Sequence, residues 1–298
     1  MVRRILPRPL LALAGVALAF TRTTDALELG VDRGVGPDGF ESIALDAGHQ
    51  FQRLPLRVDA GYYSSDIAGQ GVEQSTASIR WQVRNEISTT LGLSHIDDNV
   101  FVIRGTDLGL GLAANALWHG SRTTQLNLTY GRLTYSPDAH APFGPGVLAR
   151  LPRQVHCLTG VSQQFSDKFW LNLSYDSFQY SKSPLELAQV LLILNRRYRT
   201  PLTWAYTMIA FPDRAGSAGL VWYPSQKYSA TLTYSRSHTV LLQSTSATAA
   251  NVTRNFGRFN ATVGLNHSDA GPVRGFAGQV LQPASSGTYF DLHLGASF

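Results

Sequence analysis

The sequence predicts an all-β protein, a closed antiparallel transmembrane β-barrel of about 16 strands, or 12 to 14 if weak hairpins drop out. Three observations point there. The last ten residues, Tyr289 to Phe298, alternate strictly. Phe290, Leu292, Leu294, Ala296 and Phe298 fall on one face, and Tyr289, Asp291, His293, Gly295 and Ser297 on the other. Such a strand asks for an apolar medium on one side and a polar one on the other. The same alternation recurs along the chain in segments of the length a tilted membrane strand needs. The chain also begins with a segment that reads as an export leader.

That leader comes first in order. Arg3, Arg4 and Arg8 make a basic start, and Leu10 to Phe20 is an apolar stretch of 11 residues. The stretch is shorter than the roughly 20 residues a membrane-spanning helix requires. Ala17-Leu18-Ala19 offers a small-x-small cleavage site and Ala26 a later one, so residues 1–26 are expected to be a signal peptide and 27–298 the barrel. The formal charge of +5 falls to about +2 without the three leader arginines. Lys occurs only at 168, 182 and 227, and no basic run suits nucleic acid. The single Cys rules out an internal disulfide, and its distance from the apolar run speaks against a lipoprotein anchor.

Strands are then expected at 27–33, 40–50, 54–63, 73–84, 87–96, 107–118, 122–134, 153–164, 168–180, 187–196, 203–211, 216–223, 228–238, 244–254, 258–267 and 288–298. Each has an alternating pair of faces, such as Ala77, Ile79, Trp81 and Val83 against Ser78, Arg80, Gln82 and Arg84. The region 187–211 is partly apolar on both faces and reads alternatively as a loop or plug. Segment 244–254 has a weak apolar face. Connections alternate in length. Tight ones fall near 51–53, 84–86, 119–121, 165–167, 224–227 and 255–257, and longer ones near 63–72, 97–106, 135–152 and 267–286. Short periplasmic turns and long external loops have this parity. Trp81, Trp118, Trp170, Trp222, Tyr228 and Phe259 lie near the tight turns, as an aromatic girdle would.

The expected inward face carries Glu28, Asp32, Asp46, Arg57, Asp59, Arg80, Arg84, His156, Asp176, Arg258, Asp291 and His293, both signs in similar numbers. Such groups either line an aqueous channel and bias which solutes pass, or pair across strands and brace the wall. Arg57, Asp59 and Arg80 are expected on neighbouring strands as an ion cluster or one side of a constriction. No catalytic set emerges. His119-Gly120-Ser121 sits in a turn, while His267-Ser268-Asp269 and His95-Ile96-Asp97-Asp98 lie on strands, where adjacent residues face opposite ways. His156 and Cys157 are divided in the same manner, and Asp138 with His140 shows no ligand spacing, so neither a metal nor another cofactor is expected.

With its leader, its alternating segments and the closing Phe-Asp-Leu-His-Leu-Gly-Ala-Ser-Phe, the chain resembles the outer-membrane β-barrel superfamily of Gram-negative bacteria. The resemblance implies insertion by the barrel assembly machinery, which reads a terminal aromatic such as Phe298. It also implies contact with outer-membrane lipid and lipopolysaccharide, and both termini in the periplasm. Porins are similar in size, as are the barrels of exopolysaccharide exporters, which would need a separate periplasmic partner here. A passive pore for small solutes or polymer is the reading that follows. A lipid-modifying hydrolase and a structural or adhesive barrel are the alternatives.

Overall fold

The computed structural model describes residues 26–67, 70–98, 103–118, 122–137, 151–184, 211–240, 243–274, 280–282 and 284–298. These build a single closed antiparallel barrel. Its strands are β1 (Ala26–Val35), β2 (Glu41–Gln50), β3 (Leu56–Ile67), β4 (Gln70–Arg84), β5 (Ile87–Asp98), β6 (Ile103–Trp118), β7 (Arg122–Pro137), β8 (Arg153–Ser166), β9 (Phe169–Tyr180), β10 (Pro212–Ser225), β11 (Tyr228–Thr239), β12 (Ser244–Phe256), β13 (Phe259–Ala270) and β16 (Ser285–Ser297). A separate two-stranded ribbon, β14 (Val273–Arg274) with β15 (Val280–Gln282), stands between β13 and β16.

The wall therefore has 14 strands. Two more strands were expected, at 187–196 and 203–211. β9 pairs directly with β10, from Arg214 opposite Ser177 to Trp222 opposite Phe169, so the ladder closes without them. Nearly all of that stretch lies outside the described residues. The weak segment 244–254 is a full strand, because pairing needs backbone rather than an apolar face. β12 is in register with β11 from Tyr228–Arg254 to His238–Ser244, and with β13 along its length. Closure is made by the two chain ends. β1 pairs with β16, and Leu27 and Phe298 exchange backbone hydrogen bonds of 3.0 and 2.8 Å.

Burial is inverted relative to a water-soluble protein. Among the described residues the only buried hydrophobic ones are Ala47, Tyr62, Leu133 and Phe211. The large apolar side chains stand outward instead, with Leu110 60 % and Val263 62 % exposed. A belt of this extent in water would be an aggregation surface, and it is the normal covering of a wall solvated by hydrocarbon. Trp81, Trp222, Tyr228 and Phe259 are exposed near the tight-turn end as expected. Trp170 departs from the expected girdle. It pairs with Val221 and Gln164 on the inner face, while its neighbour Phe169 stands outside.

The connections at one end are tight. Asn85-Glu86, Asp167-Lys168, Gln226-Lys227 and Gly257-Arg258 each join two strands directly. In two of them a serine hydroxyl accepts the N–H two residues on, Lys168 to Ser166 and Lys227 to Ser225, both at 3.3 Å. Gly257 takes φ +75, a left-handed value that favours glycine. The strands joined through the longer sequence stretches 138–152, 181–211 and 271–284 meet those stretches at the opposite end. Two external connections expected to be long are short. β3 and β4 are separated by 68–69 and β5 and β6 by 99–102, because those strands run further than their apolar faces do.

Candidate functional site

Alternation sets the inner surface. Glu28 and Asp32 of β1, Asp46 of β2, Arg57 and Asp59 of β3, Arg80 of β4, His156 of β8, Asp176 of β9, and Asp291 and His293 of β16 occupy inward positions. Arg84 is the exposed last residue of β4. Arg258 lies in the turn before β13, where its carbonyl accepts the N–H of Ser297 at 2.8 Å. Both mark the tight-turn rim rather than the inner wall. Asp107 of β6, not among the residues singled out from the sequence, is inward as well. Its parity, one residue before the outward Leu108, was the available signal.

Three clusters form. In the first, Arg57 donates to Glu28 at 2.6 Å and to Asp59 at 2.7 Å, tying β3 to β1 across β2. Arg80 is the cross-strand partner of Arg57 in the ladder, but the carboxylates gather on Arg57. The side chains are partly exposed, so the pairs contribute at most about 1 kcal/mol. Arg57→Ala is expected to move the urea midpoint of the folded barrel only slightly, while leaving two inner carboxylates without their cation. Unfolding followed by tryptophan fluorescence checks this, and a collapse of folding would show the pairs to be structural braces.

In the second cluster His156 reaches over β7 to Asp107, Nε2 to Oδ2 3.1 Å, while Nδ1 lies 3.8 Å from Asp176 on β9. The ring stacks on Phe178 with centroids 5.9 Å apart. The reach depends on Gly131, because a Cβ there would collide with the imidazole. An acid–imidazole–acid row thus crosses four strands of the inner wall.

In the third cluster His293 Nδ1 meets Asp32 Oδ1 at 2.8 Å. Asp46 leans from β2 across Gly30 toward the same pair, again into space that a Cβ would fill. Asp291 lies two residues above His293 on the same face.

The rest of the wall is different. The regular inward positions of β10 to β13 carry Ser, Thr, Asn, Ala, Gly and Val, such as Ser217, Gly219, Thr233, Ala249, Asn251 and Thr262, and no charged side chain. Charge is confined to the other arc. There, among the described side chains, Glu28, Asp32, Asp46, Asp59, Asp107, Asp176 and Asp291, seven carboxylates, share the inward positions with two guanidiniums, Arg57 and Arg80. Where similar numbers of both signs were expected, the described inward strand positions carry an acid excess, with Arg84 at a strand end, Arg258 in a turn and Asp107 added. A cavity of about 450 Å³ is lined by Arg80, Thr90, Asp107, Asn127, Thr129 and His156 among others. Another of about 440 Å³ opens at the tight-turn rim beside Arg57, Arg80 and Gln82. At the long-loop end Phe211 is buried against the inner wall, edge-on to Tyr135 and Tyr180 at 5.7 and 5.5 Å. Tyr180 donates its hydroxyl to the Pro212 carbonyl at 2.6 Å, which pins this aromatic knot.

Among the described residues the histidine motifs do not assemble into a nucleophilic site, although outside those motifs His238 Nδ1 meets Ser244 Oγ at 2.9 Å. His267 and Asp269 share the outer face at 3.4 Å and Ser268 turns inward. The nearest serine, Ser286, meets the same ring nitrogen as Asp269, at 3.5 Å, whereas a proton relay uses opposite nitrogens. His95 contacts Thr106 and Asp97 pairs with Arg104. His156 and Cys157 face opposite sides. His119-Gly120-Ser121, Asp138 and His140 lie outside the described residues.

No protein-family model and no curated protein matches the sequence. Solved structures do. The CymD monoaromatic hydrocarbon channel is 11% identical, with 92% of this chain and 88% of that one covered and a TM-score of 0.50. The Pseudomonas putida toluene transporter TodX is 11% identical over 94% and 90%, TM-score 0.49, and the KdgM porin 7% identical over 91% and 99%, TM-score 0.44. At this identity the CymD likeness shows the barrel fold.

Proposed function

We propose that the protein is an outer-membrane pore that passes small hydrated solutes and prefers cations. The observation that carries this is the pairing of an outward apolar belt with an inner wall whose carboxylates outnumber its guanidiniums. An acidic lumen in a low-dielectric wall concentrates cations and repels anions. No bond is made or broken, and the leader at 1–26 would deliver the chain for export. The tight turns and both termini then face the periplasm and the long connections face outward. Exposed arginines on the outer face toward the long-loop end, including Arg33, Arg132 and Arg236, fit the phosphate-bearing headgroups of the external leaflet.

The test is single-channel recording of the refolded barrel in a planar bilayer under a salt gradient. Discrete conductance steps with a reversal potential on the cation side are expected. A folded, inserted barrel that stays silent would overturn the pore reading. It would leave a barrel closed at the Phe211 knot, as an exporter dependent on a partner or an adhesive protein would be.

A further inference from the structure

We propose that Asp32, Asp46 and His293 form a binding site for a divalent transition-metal cation on the inner wall. One ligand atom from each side chain lies within 4.8 Å of the others. Ligands on a shared ion at bonds of about 2.0–2.2 Å stand roughly 3–4 Å apart, so a small inward rotation of the side chains closes the set. The three residues come from adjacent strands that meet at the barrel seam. Asp32 and His293 are direct cross-strand partners of β1 and β16, and Asp46 is opposite Gly30 on β2. Gly30 is what lets the Asp46 carboxylate lie across β1 toward the imidazole.

The local charge asks for a cation. Arg57 is committed to Glu28 and Asp59. Among the described residues Asp32 pairs with the imidazole of His293, and Asp46 and Asp291 add two further carboxylates on the neighbouring inward positions, so acid outweighs base here. One nitrogen and two oxygen donors, with the remaining coordination positions open to lumen water, suit Zn²⁺, Mn²⁺ or Co²⁺ better than the all-oxygen cages of Ca²⁺. The site does not depend on conduction. It belongs to the folded barrel whether or not the lumen is open.

The experiment is a Mn²⁺ titration of the full-length folded protein in zwitterionic detergent, reading free Mn²⁺ by electron paramagnetic resonance. Heat-modifiable gel mobility verifies the fold of each variant. A single saturable Mn²⁺ per chain is expected, displaced by Zn²⁺. Gly30→Ala keeps every charge but places a methyl where the Asp46 carboxylate lies, and is expected to weaken binding about tenfold or more. His293→Asn and Asp46→Asn should do the same, so the test survives the loss of any one variant to misfolding. Absence of saturable binding would overturn the site. So would binding that is unchanged in Gly30→Ala and His293→Asn and fades with added salt, which would be general attraction to an acidic wall.

Discussion

Leu232→Arg is expected to destabilise the barrel in a bilayer by about 2–4 kcal/mol, while Thr233→Arg, one residue on, costs far less. Leu232 stands on the outer face, 54 % exposed, between the outward Tyr228 and Tyr234. A guanidinium placed there must be desolvated by hydrocarbon or drag water into it. Thr233 faces the uncharged arc of the inner wall beside Gly219 and Ala249, where a long side chain is not driven into hydrocarbon. Urea unfolding of both variants in lipid vesicles reads the difference, and the paired design removes any general effect of adding an arginine to β11. Equal loss in the two would mean that the outer belt is not solvated by lipid, and the membrane reading of the fold would fail with it.

The combined variant Asp32→Asn, Asp46→Asn and Asp291→Asn is expected to lower the cation-over-anion permeability ratio by a factor on the order of 10 at low salt. These three carboxylates stand together on β1, β2 and β16, beside the pair of acids that Arg57 neutralises but outside its reach. Their effect is a field rather than a contact. It should therefore shrink near 1 M salt, where the screening length is only about 3 Å. Reversal potentials measured in low and high salt gradients distinguish the cases. A ratio that ignores the substitutions at low salt would place the selecting charges elsewhere, for example on the Asp107–His156–Asp176 row. A change that persists at high salt would point to an altered pore shape.

How much of this was legible in the sequence depends on what each residue answers to. Strand alternation answers to the medium on each side, so the outward faces of β5, β6, β11, β13 and β16 could be read residue by residue. The parity of Asp46, Arg57, Asp176 and His293 followed from the same rule. Strand count was harder because a stretch such as 187–211 looks like wall when judged alone, and only the direct pairing of β9 with β10 closes the ladder without it. The strand ends were harder still. β3 to β7 extend past their apolar belt into polar residues, which no apolar face marks. The shared cause is that pairing is a property of two backbones, while alternation is a property of one.

The class of fold and the face that most strand residues present were written in the sequence alone, Trp170 being an exception. Each follows from the two-residue period of an extended chain between an apolar and a polar medium. Tertiary structure alone decided which inner charges meet. His293 lies 261 positions from Asp32 and becomes its neighbour because the last strand closes on the first. His156 finds Asp107, 49 positions away, because Gly131 on the strand between them has no side chain to stand in the way. Register between strands sets these encounters, and register is the outcome of closing the whole ladder at once.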